Sequence, residues 1–114
     1  MQVTISNKHE DMDVDMIHHF LSEVGYWTPG ISRERVERAM QNSLPFGLFL
    51  NGQQVAYARV ISDYTSFAYL GDVFVLPEHQ GKGLGKQLLA AIHAHPQLQG
   101  LRGWVLKTRD AQGL

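Results

Sequence analysis

The residues best suited to chemistry form a glycine-rich stretch, residues 80–86, which holds three glycines and two lysines. An apolar run at 69–75 precedes it, and apolar residues at a spacing of four follow it. A strand, a glycine-rich turn and a helix together make a phosphate socket, because the first N–H groups of a helix lack internal partners. Glycine lets the main chain approach an anion closely, and Lys82 and Lys86 add positive charge. The stretch therefore predicts a phosphate-binding loop, with a tight turn that binds nothing as the alternative.

Three kinds of phosphate-binding loop differ in their spacing. A Walker A loop ends in Gly-Lys followed by Ser or Thr, whereas a glutamine follows Gly85 and Lys86, and Gln80 occupies the first glycine position. A dinucleotide-binding fingerprint requires a third small residue where this chain has lysine or leucine. The pattern that remains is Gln-x-x-Gly-x-Gly, formed by Gln80, Gly83 and Gly85.

This pattern, between a strand and a helix, resembles the acyl-CoA signature of the GNAT family of N-acetyltransferases. The resemblance covers residues 69–114 and, more weakly, the hairpin pattern at 46–61. It implies an α/β fold, with a mixed sheet flanked by helices. It also implies an enzyme that transfers an acetyl group from the co-substrate acetyl-CoA to a primary amine, in a small molecule or a peptide, by direct attack.

The resemblance assigns roles along the strand and the loop. The pantetheine arm of acyl-CoA is expected to bond, like an added strand, to the backbone of Val73, Phe74 and Val75. The backbone amide of Val75 is also the candidate for polarising the thioester carbonyl. The pyrophosphate is expected on the loop, whose cofactor-binding residues are Gln80, Gly81, Lys82, Gly83, Leu84, Gly85 and Lys86.

Asp72 is the one carboxylate on this strand and the candidate general base or anchor for the amine. The alternative is a structural acid tied to neighbouring backbone or to solvent, since burying a bare carboxylate costs free energy. Gly71 before it indicates a bulge or a close backbone approach. Tyr26 and Trp27, in a loop that lines the acceptor side in the family, are candidates for substrate contact, although loop aromatic residues more often cap a core.

The C-terminal end departs from the family pattern. The family takes its general acid from a tyrosine in a helix after the fifth strand, and two more strands follow. Because the sequence ends at Leu114 without a matching tyrosine, we expect the last helix and strands to be lacking. Asp110 occupies a position where the family often has a polar residue that contacts pantetheine. A non-catalytic acyl-CoA-binding module, an inactive fragment and an interaction domain without ligand are the rival interpretations, and an open edge at the last strand predicts a homodimer or larger assembly.

Composition excludes several classes of protein. The chain of 114 residues predicts a single domain, 1–114, and its net charge of -1 argues against nucleic-acid partners. It has no cysteine, which excludes thiolate metal sites and is compatible with the cytoplasm, and its six histidines share no helical face that suggests a metal site. No apolar run reaches membrane-spanning length and no signal-peptide pattern is present. We therefore expect a cytoplasmic domain without metal, membrane or nucleic-acid binding.

Hydrophobic periodicity predicts the element order β-α-α-β-β-β-α-β. Asp13 and Ser32 are the predicted N-caps of the first two helices, and the apolar stripe of the first helix ends at Val24. Asn51 and Gly52 predict a hairpin turn. The alternating arginines and glutamates of the second helix are typical of a solvated face, with a grip on an acidic substrate as the less favoured interpretation.

Overall fold

The structure, a computed structural model, describes residues 2–25 and 28–106. Its helices and strands follow the predicted order: β1 (Val3–Ser6), α1 (Val14–His19), α2 (Arg33–Gln41), β2 (Leu44–Leu50), β3 (Gln53–Ser62), β4 (Phe67–Val75), α3 (Leu84–Ala94) and β5 (Gly103–Leu106).

The five strands form one mixed sheet in the order β1-β2-β3-β4-β5. The first four pair antiparallel, and β5 pairs parallel with β4 across α3. The parallel register couples Phe67 with Gly103 and ends where Leu70 meets Leu106. β5 is described as far as Leu106, so the pairing on this side of β4 is given up to Leu70; we call the β5-facing side of residues 71–75 the outer side of β4.

Local signals set the predicted boundaries of the helices and the hairpin. The side chain of Asp13 accepts a hydrogen bond from the N–H of Met16, and that of Ser32 accepts one from Arg35. Asn51 and Gly52 have φ values of 50° and 87°, the two positive angles of a type I′ turn. These three predictions are confirmed.

The sheet separates two apolar clusters. On one face, α3 packs its buried Leu84, Leu88 and Ile92 against the sheet, as the spacing of four predicts. On the other face, α1 and α2 cover a cluster that contains the side chains of Tyr57 and Phe74. Neighbouring residues of β4 thus serve opposite faces, because strand side chains alternate.

The end of the first helical segment differs from the prediction. Residues Phe20–Val24 form a π-helical turn, closed by a 2.7 Å hydrogen bond from the N–H of Gly25 to the carbonyl of Phe20. The wider turn rotates Val24 out of the apolar stripe, and its side chain is 46% exposed. The same turn places Phe20 against Phe74, with ring centroids 3.9 Å apart in a stacked arrangement.

β5 lies at the edge of the sheet as far as the described residues extend. Val105 and Leu106 are exposed there. Self-association through this edge stays a prediction.

Candidate functional site

The loop before α3 owes its shape to two glycines. Gly81 and Gly83 have φ values of 81° and 78°, a left-handed conformation that other residues adopt only with strain. A Cβ atom added at either position would meet nothing within 4 Å, so the space beside the loop is open. Gly83 is the N-cap of α3 and supplies no capping side chain, and no acid lies in the first turn. The first N–H groups of α3 therefore face an open space where the helix dipole favours an anion.

A cavity of about 240 Å³ lies at this helix start. Its lining consists of the end of β4 and the loop: Val75, His79, Gln80, Gly81, Gly83, Leu84, Gly85 and Lys86. The fold thus brings together Val75 and six of the seven loop residues predicted to bind the cofactor. Lys82, the seventh, is exposed outside the lining, with its Nζ 3.1 Å from Nδ1 of His79.

Gln80 fastens the loop to the end of β4. Its Nε2 donates to the carbonyl of Val75 at 3.0 Å. Leu76, the residue after Val75, donates its N–H to the carbonyl of Val55 on the β3 side. Because backbone groups alternate in direction along a strand, those of Val75 point to the outer side of β4, where Val75 also lines the cavity.

The same alternation separates the three residues predicted to pair with pantetheine. Phe74 is the register partner of Tyr57, and its N–H and C=O face β3 rather than the outer side of β4. Its side chain packs with the α1 and α2 cluster, whereas those of Val73 and Val75 are buried on the α3 face. Of the three, Phe74 therefore directs its main chain away from the outer side of β4, whereas Val75 directs its main chain toward that side.

A β-bulge interrupts β4 just before these residues. Tyr57 pairs with Phe74 while Arg59 pairs with Gly71, so one residue of β3 opposes two of β4, Asp72 and Val73. Asp72 has a φ of 52°, an uncommon angle for a residue with a side chain. The bulge predicted near Gly71 thus falls one residue later. The close approach at Gly71 is to a side chain, since a Cβ there would lie 2.5 Å from Cε1 of Tyr69.

Asp72 is paired with an arginine. Its Oδ2 accepts a 2.6 Å hydrogen bond from Nε of Arg59, and the two side chains are 16% and 18% exposed. Nη1 of Arg59 donates in turn to Oγ of Ser43 at 3.1 Å. The structural alternative expected backbone or solvent as the partner, and the partner is a cation on the neighbouring strand. Oδ1 of Asp72 makes no hydrogen bond to residues 2–25 and 28–106, which leaves that oxygen for another donor.

Tyr57 lies beside this ion pair and was not among the sequence-based candidates. Its side chain is 1% exposed, and burial, with a smaller contribution from the charge of Asp72, raises the pKa of the phenol well above its usual value, against an opposing effect of Arg59. The phenol is therefore protonated at neutral pH. One sequence signal could have identified Tyr57. It lies two residues before Arg59 on the same predicted strand, so the two side chains share a face.

Three predicted contacts lie outside the described residues, namely Tyr26, Trp27 and Asp110. Within residues 2–25 and 28–106, no three His, Asp or Glu side chains are grouped to hold a metal ion. No helix in that part of the chain is long and apolar enough to cross a membrane.

Comparison with known proteins agrees with this geometry. Residues 14–113 match the family model described as the acetyltransferase (GNAT) family. A candidate acetyltransferase of Gibberella zeae is 31% identical over 82% of this chain, which spans 60% of that protein's length. The crystal structure of a candidate GNAT-family acetyltransferase from Xanthomonas campestris pv. campestris is 52% identical, with a TM-score of 0.93 over 99% of this chain and 80% of its own.

A more distant structure shares the fold alone. A candidate acetyltransferase from Deinococcus radiodurans is 17% identical, with a TM-score of 0.72 over 92% of this chain and 71% of its own. The glycine-rich loop, the cavity beside it and the family match over residues 14–113 lead to one conclusion: the chain belongs to the GNAT family of acetyltransferases.

Proposed function

We propose that this chain transfers an acetyl group from acetyl-CoA to a primary amine of a small molecule or a peptide. The observation that carries the proposal is the cavity at the start of α3, which is lined by the glycine-rich loop and by Val75 at the end of β4. A pyrophosphate fits a helix start with open N–H groups, and an extended pantetheine arm can hydrogen-bond to the main chain of a strand beside it. We place this reaction in the cytoplasm, a proposal that the absence of cysteine supports.

The end of β4 and the loop divide the binding of acetyl-CoA between them. Pantetheine lies along the outer side of residues 73–75, so affinity there depends on backbone geometry rather than on side chains. The pyrophosphate accepts hydrogen bonds from the N–H groups at the start of α3, and Lys86 in the first turn adds a cation. Lys82 is exposed nearby and adds to the same positive field.

The chemical step requires a positioned neutral amine and a polarised thioester. The nitrogen lone pair attacks the carbonyl carbon, the C–N bond forms, and the C–S bond breaks to release the thiolate of CoA. The N–H of Val75, directed to the outer side of β4, stabilises the negative charge that develops on the carbonyl oxygen. Oδ1 of Asp72 accepts a hydrogen bond from the amine and orients it, and the proton lost by nitrogen balances the proton gained by the thiolate.

Release of the CoA thiol tests the proposal directly. The chain has no cysteine, so a thiol-reactive chromogenic disulfide detects free CoA without a protein background. We expect thiol release that depends on both the protein and an amine, with an N-acetylated product of the right mass. A panel of amines that yields neither signal would contradict the assignment.

A non-catalytic acyl-CoA-binding module is the second candidate. The ion pair between Asp72 and Arg59 favours it, because Oδ2 of Asp72 is already occupied by Nε of Arg59. This candidate expects acetyl-CoA to bind while no amine is acetylated. Binding and turnover measured on the same sample separate the two functions.

A further inference from the structure

A second cavity, of about 310 Å³, lies between α2 and β3 on the face of the sheet opposite α3. Three arginines line it, Arg35 and Arg38 from α2 and Arg59 from β3, together with Asn42 and Ser43. No carboxylate is among its lining residues. We call this cavity the arginine groove.

The arginine groove carries an excess of positive charge. Arg38 is paired with Glu34 at 2.8 Å, but both side chains are largely exposed, and such a pair exchanges partners at little cost. Arg59 is neutralised by Asp72. Arg35 makes no ion pair with residues 2–25 and 28–106, so one guanidinium in the groove has no carboxylate partner there.

The arginines of α2 divide into two groups by helical position. Arg35, Arg38 and Asn42 recur at i, i+3 and i+7 and therefore share the stripe that faces the groove. Arg33 lies elsewhere, paired with Asp15 at 2.8 Å and with Glu37 at 2.9 Å. The predicted solvated, ion-paired face therefore contains Arg33, whereas Arg35 and Arg38 border the arginine groove.

Arg59 connects the arginine groove to the bulge in β4. Nη1 reaches Ser43 at the groove, while Nε holds Asp72, the residue at the bulge. Nη2 makes no hydrogen bond to residues 2–25 and 28–106. A ligand in the groove would therefore have a cationic region at α2 and an anionic oxygen, Oδ1 of Asp72, beyond Arg59.

We propose that the arginine groove binds an anionic group of the acceptor, and that the acceptor is an acidic amine with a carboxylate or a phosphate in the same molecule. The guanidinium groups of Arg35 and Arg38 bind that anion, since the planar fork of arginine matches both oxyanions. The ammonium end complements Asp72 before it loses its proton. This inference rests on the proposed function, because it names the substrate class for that reaction.

Matched amines test this preference in the thiol-release assay. Two acidic amines, β-alanine and O-phosphoethanolamine, are compared with β-alaninamide and ethanolamine, which lack the anion. We expect kcat/KM to be about tenfold higher or more for an acidic amine than for its neutral counterpart, because a hydrogen bond to a charged group contributes about that factor. The carboxylate pair and the phosphate pair are separate arms and identify which oxyanion the groove prefers. Equal or higher kcat/KM for both neutral members would overturn the proposal.

Two variants locate the effect in the groove. Arg35→Gln is expected to raise KM for the acidic amine about tenfold with little change in kcat, because it removes binding rather than chemistry. Arg33→Gln, on the same helix but outside the groove, is the matched control and leaves KM unchanged. Similar behaviour of the two variants contradicts the proposal.

Direct binding keeps this test separate from the proposed function. Calorimetry with the acetyl-CoA-free chain and the acidic amines measures the groove even where no amine is acetylated. Weakened binding in Arg35→Gln, and not in Arg33→Gln, supports the groove whatever the turnover. No binding of either acidic amine overturns it, while acetyl-CoA binding without any turnover overturns only the acetyltransferase function.

Discussion

The ion pair between Asp72 and Arg59 limits what each side chain can do. The carboxylate was predicted as a base or an anchor, and one of its oxygens, Oδ2, is held by Nε of Arg59. The other oxygen, Oδ1, accepts no hydrogen bond from the described residues and is the one that can orient an amine. Its positive φ also fits its residue type, since Asp and Asn tolerate that conformation better than most residues.

Asp72→Asn tests this role without changing shape. We expect turnover to fall by about 100-fold, because the amine loses the anion that positions it, while acetyl-CoA still binds. Calorimetry with acetyl-CoA and the thiol-release rate are the two measurements. Unaltered turnover would remove Asp72 from the mechanism.

Gly83→Glu tests the phosphate loop. The new side chain places an anion at the start of α3, and we expect acetyl-CoA binding to be abolished. Gly100→Glu is the matched control, because Gly100 has a similar φ of 74° and equally open surroundings. Each substitution costs about 1–2 kcal/mol of backbone strain. Equal affinity in both variants, measured by calorimetry, would contradict the site.

Tyr57→Phe tests the buried phenol. The hydroxyl makes no hydrogen bond to residues 2–25 and 28–106, so its removal should change stability at pH 7 by less than about 1 kcal/mol. Because the folded pKa is raised, the contribution of Tyr57 is complete below the unfolded value of about 10 and is lost at higher pH. Denaturant melts from pH 8 to 11 should show a smaller alkaline loss in the variant. Tyr64→Phe, at an exposed tyrosine, should melt like the parent chain.

At the scale of elements, two irregularities shape the site. The bulge in β4 directs Asp72 toward Arg59 of β3. The π-helical turn places Phe20 against Phe74 beneath the same region. The bulge and the π-helical turn therefore shape the region around Asp72, and the regular strands and helices support it.

The turn between β3 and β4 depends on one carboxylate. Asp63 accepts hydrogen bonds from the N–H groups of Thr65, Ser66 and Phe67 and from the hydroxyl of Ser66. The side-chain bond from Ser66, and then the backbone bonds, hold the pKa of Asp63 well below its usual value. Its contribution to stability is therefore complete above about pH 4 and is lost as the pH falls toward the lowered pKa.

Asp63→Ala tests this turn. We expect a lower melting temperature than the parent at pH 7, with a difference that shrinks as the pH falls below about 4. Asp63→Asn, which keeps an acceptor oxygen without the charge, should lie between the two. A difference that does not vary with pH would show that the charge of Asp63 is unimportant to the turn.

At the scale of the whole molecule, the sheet separates two cavities. The face that carries α3 ends in the glycine loop and its cavity, and the opposite face carries the arginine groove under α2. The bulge in β4 lies between them. A donor that binds from one side and an acceptor that binds from the other would therefore meet near Asp72 and Val75.

Thermal unfolding with acetyl-CoA tests the site as a whole. At about 100 times its dissociation constant, a ligand that binds only the folded chain adds about 2.7 kcal/mol, which should raise the melting temperature by several degrees. Adenosine, which lacks pyrophosphate and pantetheine, should produce little shift. A folded chain with no shift would contradict acetyl-CoA binding.

Local signals in the sequence determined the helix starts, the hairpin turn and the glycine loop of this protein. Caps at Asp13 and Ser32, the turn at Asn51 and Gly52, and the apolar spacing of α3 are signals between near neighbours, so they are visible in one dimension. The glycine loop is local in the same way. Its residues lie within one turn and the start of one helix, and the structure gathers six of the seven around one cavity.

Tertiary structure decided what depends on distant partners. The ion pair between Asp72 and Arg59 joins two neighbouring strands. The position of α2 on β3 decides which of its arginines border the groove. The outward direction of Val75 follows from the register with β3, and a shift of one residue would reverse it. The exposure of Val24 follows from a π-helical turn that periodicity does not anticipate. These features arise from contacts between segments far apart in the chain, so spacing along the sequence does not contain them.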